Sequence, residues 1–85
     1  MKLHLLYFAR LRESVGMASE DLEVPATVTT VAQLRAHLSE RGGAWTEALA
    51  PARRIRAAVN QQMVDDGAAL VAGAEVALFP PVTGP

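Results

Sequence analysis

The sequence contains no cysteine among its 85 residues. Disulfide bonds, thiolate metal sites and a cysteine nucleophile are therefore excluded for this chain. Histidine is also scarce, and the pattern places neither His4 nor His37 beside a serine or a carboxylate. We interpret both histidines as surface or core-edge residues, and we expect neither a metal site nor a stand-alone active site.

A strong net charge is absent too, since eight basic residues oppose nine acidic ones and the formal net charge is −1. Such a balance provides no electrostatic basis for binding nucleic acid or an anionic membrane. Aromatic residues make up 5% of the chain, which is too few for stacking single-stranded nucleic acid. No apolar run approaches the roughly 20 residues that span a bilayer, and no signal-peptide pattern follows Met1. We therefore expect a cytoplasmic protein with no nucleic-acid or membrane partner.

The sequence does contain a regular series of short strand and helix patterns. Its length and its hydrophobic content of 51% predict one globular domain. Alternation of apolar residues predicts strands at 3–8, 20–24, 55–60, 63–64 and 75–79. In the first of these, Leu3, Leu5 and Tyr7 share one face of the strand. In the second, the acidic residues are interpreted as a solvent-exposed face; they are Glu20, Asp21 and Glu23.

Helical spacing is found in two places. Residues 9–15 predict a short helix that ends at Gly16. The main helix begins at Thr30, which forms a capping-box pattern with Gln33, and it ends at Gly42-Gly43. A further turn is predicted at 45–49. One main helix packed on one mixed sheet gives an α+β fold, with a body at 1–79 and an extended tail at 80–85.

The tail combines stiffness with small, uncharged side chains. Pro80 and Pro81 fix their own φ angles, and Pro80 also holds Phe79 in an extended conformation. Such a segment is either an ordinary mobile terminus or one adapted to enter a narrow pocket. Basic residues form the other notable group, which is either a solvated surface or a patch for an acidic protein partner; they are Arg10, Arg12, Arg53, Arg54 and Arg56.

Three motifs carry a resemblance to a known family. They are Tyr7-Phe8-Ala9-Arg10-Leu11-Arg12-Glu13, Ala58-Val59-Asn60-Gln61 and, most specifically, Leu78-Phe79-Pro80-Pro81-Val82-Thr83-Gly84. With these motifs the whole chain resembles the small subunits of molybdopterin synthase, which are ubiquitin-like sulfur carriers with the β-grasp fold. The order of predicted strands and helices is also that of a β-grasp domain.

The resemblance implies a carrier without an active site of its own. In this family a ubiquitin-activating-like adenylyltransferase uses ATP to convert the C-terminal glycine carboxylate to an acyl-adenylate, and no cofactor is bound permanently. Sulfur then replaces AMP, which leaves a thiocarboxylate. The tail enters the large subunit of molybdopterin synthase, where the sulfur passes to cyclic pyranopterin monophosphate.

The resemblance also implies which residues form the site. Gly84 stands at the first glycine of the family's terminal pair and would carry the acyl chemistry. Partner-binding positions would be Phe8, Arg12, Phe79, Pro80, Pro81, Val82 and Thr83. Pro85 departs from the family, because the second residue of the pair is glycine there. A proline ring at this position should fit poorly in a channel suited to glycine, so we expect the body to dock normally and this terminus to be activated poorly.

Two other functions remain open on the sequence. A sulfur carrier for thiazole synthesis or tRNA thiolation shares the fold, although the Phe79-Pro80-Pro81-Val82 stretch favours the molybdopterin branch. A β-grasp binding module without sulfur chemistry is consistent with Pro85. An autonomous enzyme is not supported by any group of residues in the sequence.

Overall fold

The computed structural model describes residues 1–50 and 53–80. They form five strands and three helices, which are β1 (Lys2–Tyr7), α1 (Ala9–Val15), β2 (Ser19–Glu23), α2 (Val31–Ser39), α3 (Ala44–Ala48), β3 (Arg56–Val59), β4 (Gln62–Val64) and β5 (Glu75–Phe79).

The five strands make one mixed sheet in the order β2-β1-β5-β3-β4. The first and last strands of the sequence, β1 and β5, lie parallel at its centre, and the other neighbouring pairs are antiparallel. A parallel pair requires a crossover connection, which here contains the helices. The predicted α+β class and β-grasp arrangement are confirmed.

Alternation along the strands places the core on one face of the sheet. Leu3, Leu5 and Tyr7 of β1 are buried, as predicted, while His4 is exposed on the other face. On β5, Val76 joins the same core. Because successive side chains of a strand point to opposite faces, these buried residues all lie on the face of the sheet that packs against the helices. The other face of the sheet points away from the helices.

The main helix, α2, completes the core. Thr30 caps it through the predicted capping box, in which the Gln33 backbone N–H donates to Thr30 Oγ1 and the Gln33 side chain accepts from the Thr30 N–H. The helix then buries Val31, Leu34 and Leu38 at helical spacing. It ends at Ser39, because the backbone N–H of Gly42 donates to the Ser39 carbonyl in a tighter turn.

The hairpin between β3 and β4 corrects one predicted boundary. Val59 and Gln62 are paired, so Asn60 and Gln61 form a two-residue turn in place of the predicted end of the strand. Both turn residues have positive φ, at 50° and 70°, as the hairpin turn that matches strand twist requires. The Asn60 side chain accepts a hydrogen bond from the Glu75 N–H at 3.0 Å, which fixes the hairpin beside β5.

A buried arginine holds the connection between α3 and β3. Arg35 of α2 is only 7% exposed, and its guanidinium donates to the carbonyl oxygens of Ala50 and Arg53 at 3.1 and 2.8 Å. It also pairs with Asp66 at 3.0 Å. These contacts tie two loops to one helix, namely the α3–β3 connection and the loop after β4.

Candidate partner-docking site

Phe8 and Phe79 meet where β1 and β5 end. The parallel register pairs Tyr7 with Leu78, and the Phe8 N–H donates to the Leu78 carbonyl at 3.2 Å. The next residue of each strand is therefore a phenylalanine, and the two rings stack with centroids 4.8 Å apart and planes inclined by 10°. The structure brings together two residues that the sequence assigned to one partner surface.

This aromatic pair lies at the surface. Phe8 is 40% exposed, and both Phe79 and the following Pro80 are half-buried. Exposed apolar clusters on a small domain are typical of protein interfaces, where aromatic residues are enriched. The pair thus has the chemistry of a docking surface, although its role in binding stays a prediction.

The outward face of the sheet carries a row of apolar residues. Cross-strand pairing aligns Leu6, Ala77, Ala58 and Met63 in this row. Ala77 and Ala58 are buried, and Met63 at the end of the row is 53% exposed. Because Leu6 belongs to this row, the first strand has apolar residues on its outward face as well as on its core face.

A groove of about 780 Å³ opens beside the aromatic pair, between α1, α3 and the end of β5. Its apolar lining includes Leu11, Ala48 and Ile55, and Phe79 and Pro80 form one side. Pro80, the last described residue of the chain, therefore lies at this groove.

The predicted basic residues are distributed around this end of the molecule. Arg10 and Arg53 line the groove, and Arg56 is the cross-strand partner of Phe79. Arg12 is exposed on α1, one turn after Phe8. The predicted interface role of Arg12 stays a prediction.

Five of the predicted site residues lie outside the described part of the chain. They are Pro81, Val82, Thr83, Gly84 and Pro85. The body and the tail were predicted to divide after residue 79. Strand β5 ends at Phe79, and the division itself stays a prediction.

A partly buried polar cluster near β2 was missed by the sequence interpretation. Glu20 was expected on a solvated face, but its carboxylate accepts from Tyr7 Oη at 2.8 Å and from both terminal nitrogens of Arg41 at 2.8 and 2.9 Å. Arg41 in turn lies over the Trp45 ring, 4.4 Å from its centroid. The Arg41 guanidinium lowers the pKa of Glu20, while burial, and then the hydrogen bond to Glu20, raise the pKa of Tyr7.

His4 lies at the surface, as expected, but it has a polar partner. Its Nδ1 lies 2.5 Å from the Asp21 carboxylate across the β1–β2 ladder, although the sequence pattern suggested no partner. The hydrogen bond lowers the pKa of Asp21. The pair is solvent-exposed and lies near the opposite end of β1 from Phe8. We interpret it as a cross-strand pair on the outward face.

Within 1–50 and 53–80, no cluster of three or more histidine or acidic side chains is arranged to hold a metal ion. No helix in that part of the chain is long and apolar enough to cross a membrane.

Comparison with known proteins now identifies the family. The model of the ThiS family matches residues 5–84, which is nearly the whole chain. The chain belongs to the ThiS family. This match includes both phenylalanines of the stacked pair and extends through the predicted tail to Gly84.

Two curated relatives are similar to this ThiS-family chain over almost their full lengths. The molybdopterin synthase sulfur carrier subunit of Escherichia coli strain K12 is 43% identical over 82 residues, covering 96% of this chain and 98% of the relative. The molybdopterin synthase sulfur carrier subunit of Haemophilus influenzae is 37% identical with the same coverage. The family resemblance found in the motifs is confirmed.

Solved structures share the fold. A putative molybdopterin converting factor subunit 1 from Pyrococcus furiosus superposes with a TM-score of 0.77 at 29% identity, covering 96% of this chain and 99% of that one. A chain in the complex of subunits 1 and 2 of the molybdopterin-converting factor from Helicobacter pylori superposes with a TM-score of 0.66 at 21% identity, with full coverage of both chains.

Proposed function

We propose that this chain is the sulfur carrier subunit of a molybdopterin synthase. The observation that carries the proposal is the 43% identity to the Escherichia coli carrier subunit over nearly the full length of both chains. A thiazole or tRNA-thiolation carrier is the weaker assignment, because both curated relatives bear the molybdopterin synthase name.

The carrier chemistry takes place at the end of the tail. A carboxylate is a poor electrophile, so an adenylyltransferase first joins the terminal carboxylate to AMP from ATP, releasing pyrophosphate. A sulfur nucleophile then attacks the acyl carbon and AMP leaves: sulfide gives the thiocarboxylate directly, whereas a persulfide gives an acyl disulfide whose S–S bond a thiol must reduce, with two electrons, to release the thiocarboxylate. The thiocarboxylate sulfur is finally transferred to cyclic pyranopterin monophosphate. In this scheme the body of the chain is recognised by the partner proteins, and it thereby delivers the sulfur on the tail to them.

Docking of the large subunit is assigned to the surface around Phe8 and Phe79. Its support is the position of the stacked pair at the end of β5, next to Pro80, where the tail leaves the body. A partner that covers this pair receives the tail at the same place. Gly84 would then be carried into the partner by Pro81, Val82 and Thr83, with Arg12 close to the contact.

Pro85 gives this proposal a specific chemical difficulty. Its ring turns the last peptide bond into a tertiary amide and biases Gly84 toward extended conformations. A partner channel that selects for glycine should resist this ring sterically. We therefore propose that docking is intact and that activation at Pro85 is slow.

Two measurements on the full chain test the proposal. Isothermal titration with the purified large subunit tests docking, for which we expect a saturable complex. Intact mass after incubation with the adenylyltransferase, ATP and a sulfur donor tests loading of sulfur. A chain that docks but never gains sulfur, even as Pro85→Gly, would instead be a binding module.

A further inference from the structure

Charged side chains line the groove between α1, α3 and the end of β5, and the proposed function gives them no role. Its lining is largely apolar, with Leu11 and Ile55 among the contributors, and two arginines lie among the lining residues. These are Arg10 from α1 and Arg53 from the loop before β3, and the Arg53 side chain is 57% exposed.

Of the described residues that line the groove, Glu47 is the one acidic side chain. It lies 4.0 Å from Arg53 and is 80% exposed. Such an exposed pair is worth little in free energy and is readily exchanged for another partner. The lining therefore carries two positive charges and one weakly engaged negative charge, on a chain whose formal net charge is −1.

A carboxylate-bearing protein segment fits this pattern better than other anionic ligands. Two arginines are a small fraction of the positive charge that a nucleic-acid site needs. The groove is also continuous with the apolar surface of Phe8 and Phe79, which forms part of its lining. A protein that covers the aromatic pair therefore also reaches the groove.

We propose that this groove receives a segment of the protein partner that presents an apolar side chain next to one or two carboxylates. The apolar side chain packs against Leu11 and Ile55, and the carboxylates pair with Arg10 and Arg53. This inference rests on the proposed function, since it specifies the chemistry of the partner that binds the Phe8–Phe79 surface.

The test is titration of the full chain with the purified large subunit as the probe, at low and high salt. Replacing both arginines, Arg10→Gln with Arg53→Gln, is expected to raise Kd about tenfold at low ionic strength. At about 0.5 M salt the difference should fall below about threefold, because screening weakens exposed charge pairs. Glu47→Gln should lower Kd about twofold, since it removes the negative charge that competes with the carboxylates.

Controls separate the groove from general electrostatics. Arg54→Gln removes the same charge from an exposed residue that does not line the groove, and it should change Kd by less than about twofold. Arg10→Lys with Arg53→Lys keeps the charges and should retain most of the affinity. Thermal melts of each variant show whether the fold is intact.

The outcomes distinguish this inference from the proposed function. If the unmodified chain binds and the double glutamine variant binds equally well, or if Arg54→Gln weakens binding as much, the groove assignment is wrong and the carrier function stands. If the unmodified chain does not bind the large subunit at all, the docking part of the proposed function fails and this inference fails with it.

Discussion

Phe8 and Phe79 lie near opposite ends of the sequence, yet their rings stack with a centroid separation of 4.8 Å. The contact follows from the parallel pairing of β1 with β5, which ends both strands at the same edge of the sheet. It joins the exposed aromatic surface to the point where the tail begins. In the proposed function, this surface binds the partner and the tail begins beside it, so both roles fall on one structural unit.

Replacing Phe79 by alanine tests that unit. We expect Phe79→Ala to weaken binding of the large subunit by about 2 kcal/mol, because the partner loses a central aromatic contact. Loss of stability should be about 1 kcal/mol or less, since the ring is only half-buried. Isothermal titration and urea unfolding give the two values.

Val71→Ala is the matched control for Phe79→Ala. Val71 is also an exposed hydrophobic residue, but it lies in the loop before β5 and outside the Phe8–Phe79 surface. It should leave binding unchanged. Equal losses of binding and stability for Phe79→Ala would show that the ring serves the fold and not the partner.

Glu20 is expected to stabilise the fold in a pH-dependent way. Arg41 holds the pKa of Glu20 below its usual value of 4.5, so the carboxylate binds protons more weakly in the folded than in the unfolded chain. Its contribution is present above about pH 4.5 and is lost as the pH falls through the lower folded pKa. Asp21 and Glu23, whose pKa values are also lowered, act in the same range.

The variant Glu20→Gln isolates this contribution. We expect it to lower the free energy of unfolding by about 1–2 kcal/mol at about pH 7, because a charge-assisted pair is replaced by neutral hydrogen bonds. The difference between variant and unmodified chain should shrink as the pH falls through the lowered pKa of Glu20, because the carboxylate is then protonated in the folded chain too. A difference that stays constant with pH in urea unfolding would contradict the assigned ion pair.

Arg35→Met should destabilise the fold by about 2–3 kcal/mol, because it removes two hydrogen bonds and an ion pair made by a buried guanidinium. The hydrogen bonds go from one guanidinium nitrogen to the carbonyl oxygens of Ala50 and Arg53, and the ion pair is with Asp66. Arg54→Met, at an exposed position, serves as the control and should change stability by less than about 0.5 kcal/mol. Similar losses for the two variants in urea unfolding would contradict the structural role of Arg35.

Gln61→Gly should stabilise the β3–β4 hairpin. Gln61 has a φ of 70°, a conformation that costs a non-glycine residue about 1–2 kcal/mol. Glycine removes that cost but raises the entropy of the unfolded chain, so a net gain of about 0.5–1 kcal/mol is expected. A melting temperature that does not rise would argue against the positive φ.

The elements that the sequence predicted are those with strong local signals. Alternation in β1 and the capping box at Thr30 and Gln33 depend on nearby residues only, so they are recognisable before folding. The end of the third predicted strand was wrong because Asn60 extends an alternating pattern, while the pairing of Val59 with Gln62 decides where the turn falls.

The aromatic pair of the candidate site was predictable because both phenylalanines stand in family motifs at strand ends. The contacts of Glu20 and His4 were not, since they depend on which strands pair and in which register. A polar residue on an edge strand looks the same in the sequence whether it faces water or, like Glu20, meets a tyrosine and an arginine from elsewhere in the chain.

The central claim is that the chain carries sulfur on its terminal acyl group. The most direct measurement is intact mass after incubation with the adenylyltransferase, ATP and a sulfur donor, made on the chain ending in Pro85 and on Pro85→Gly. We predict full exchange of one oxygen for sulfur in Pro85→Gly and little exchange at Pro85. Absence of sulfur from Pro85→Gly, while the Escherichia coli carrier subunit is loaded under the same conditions, would contradict the carrier function. Full loading at Pro85 would contradict the steric account of the proline.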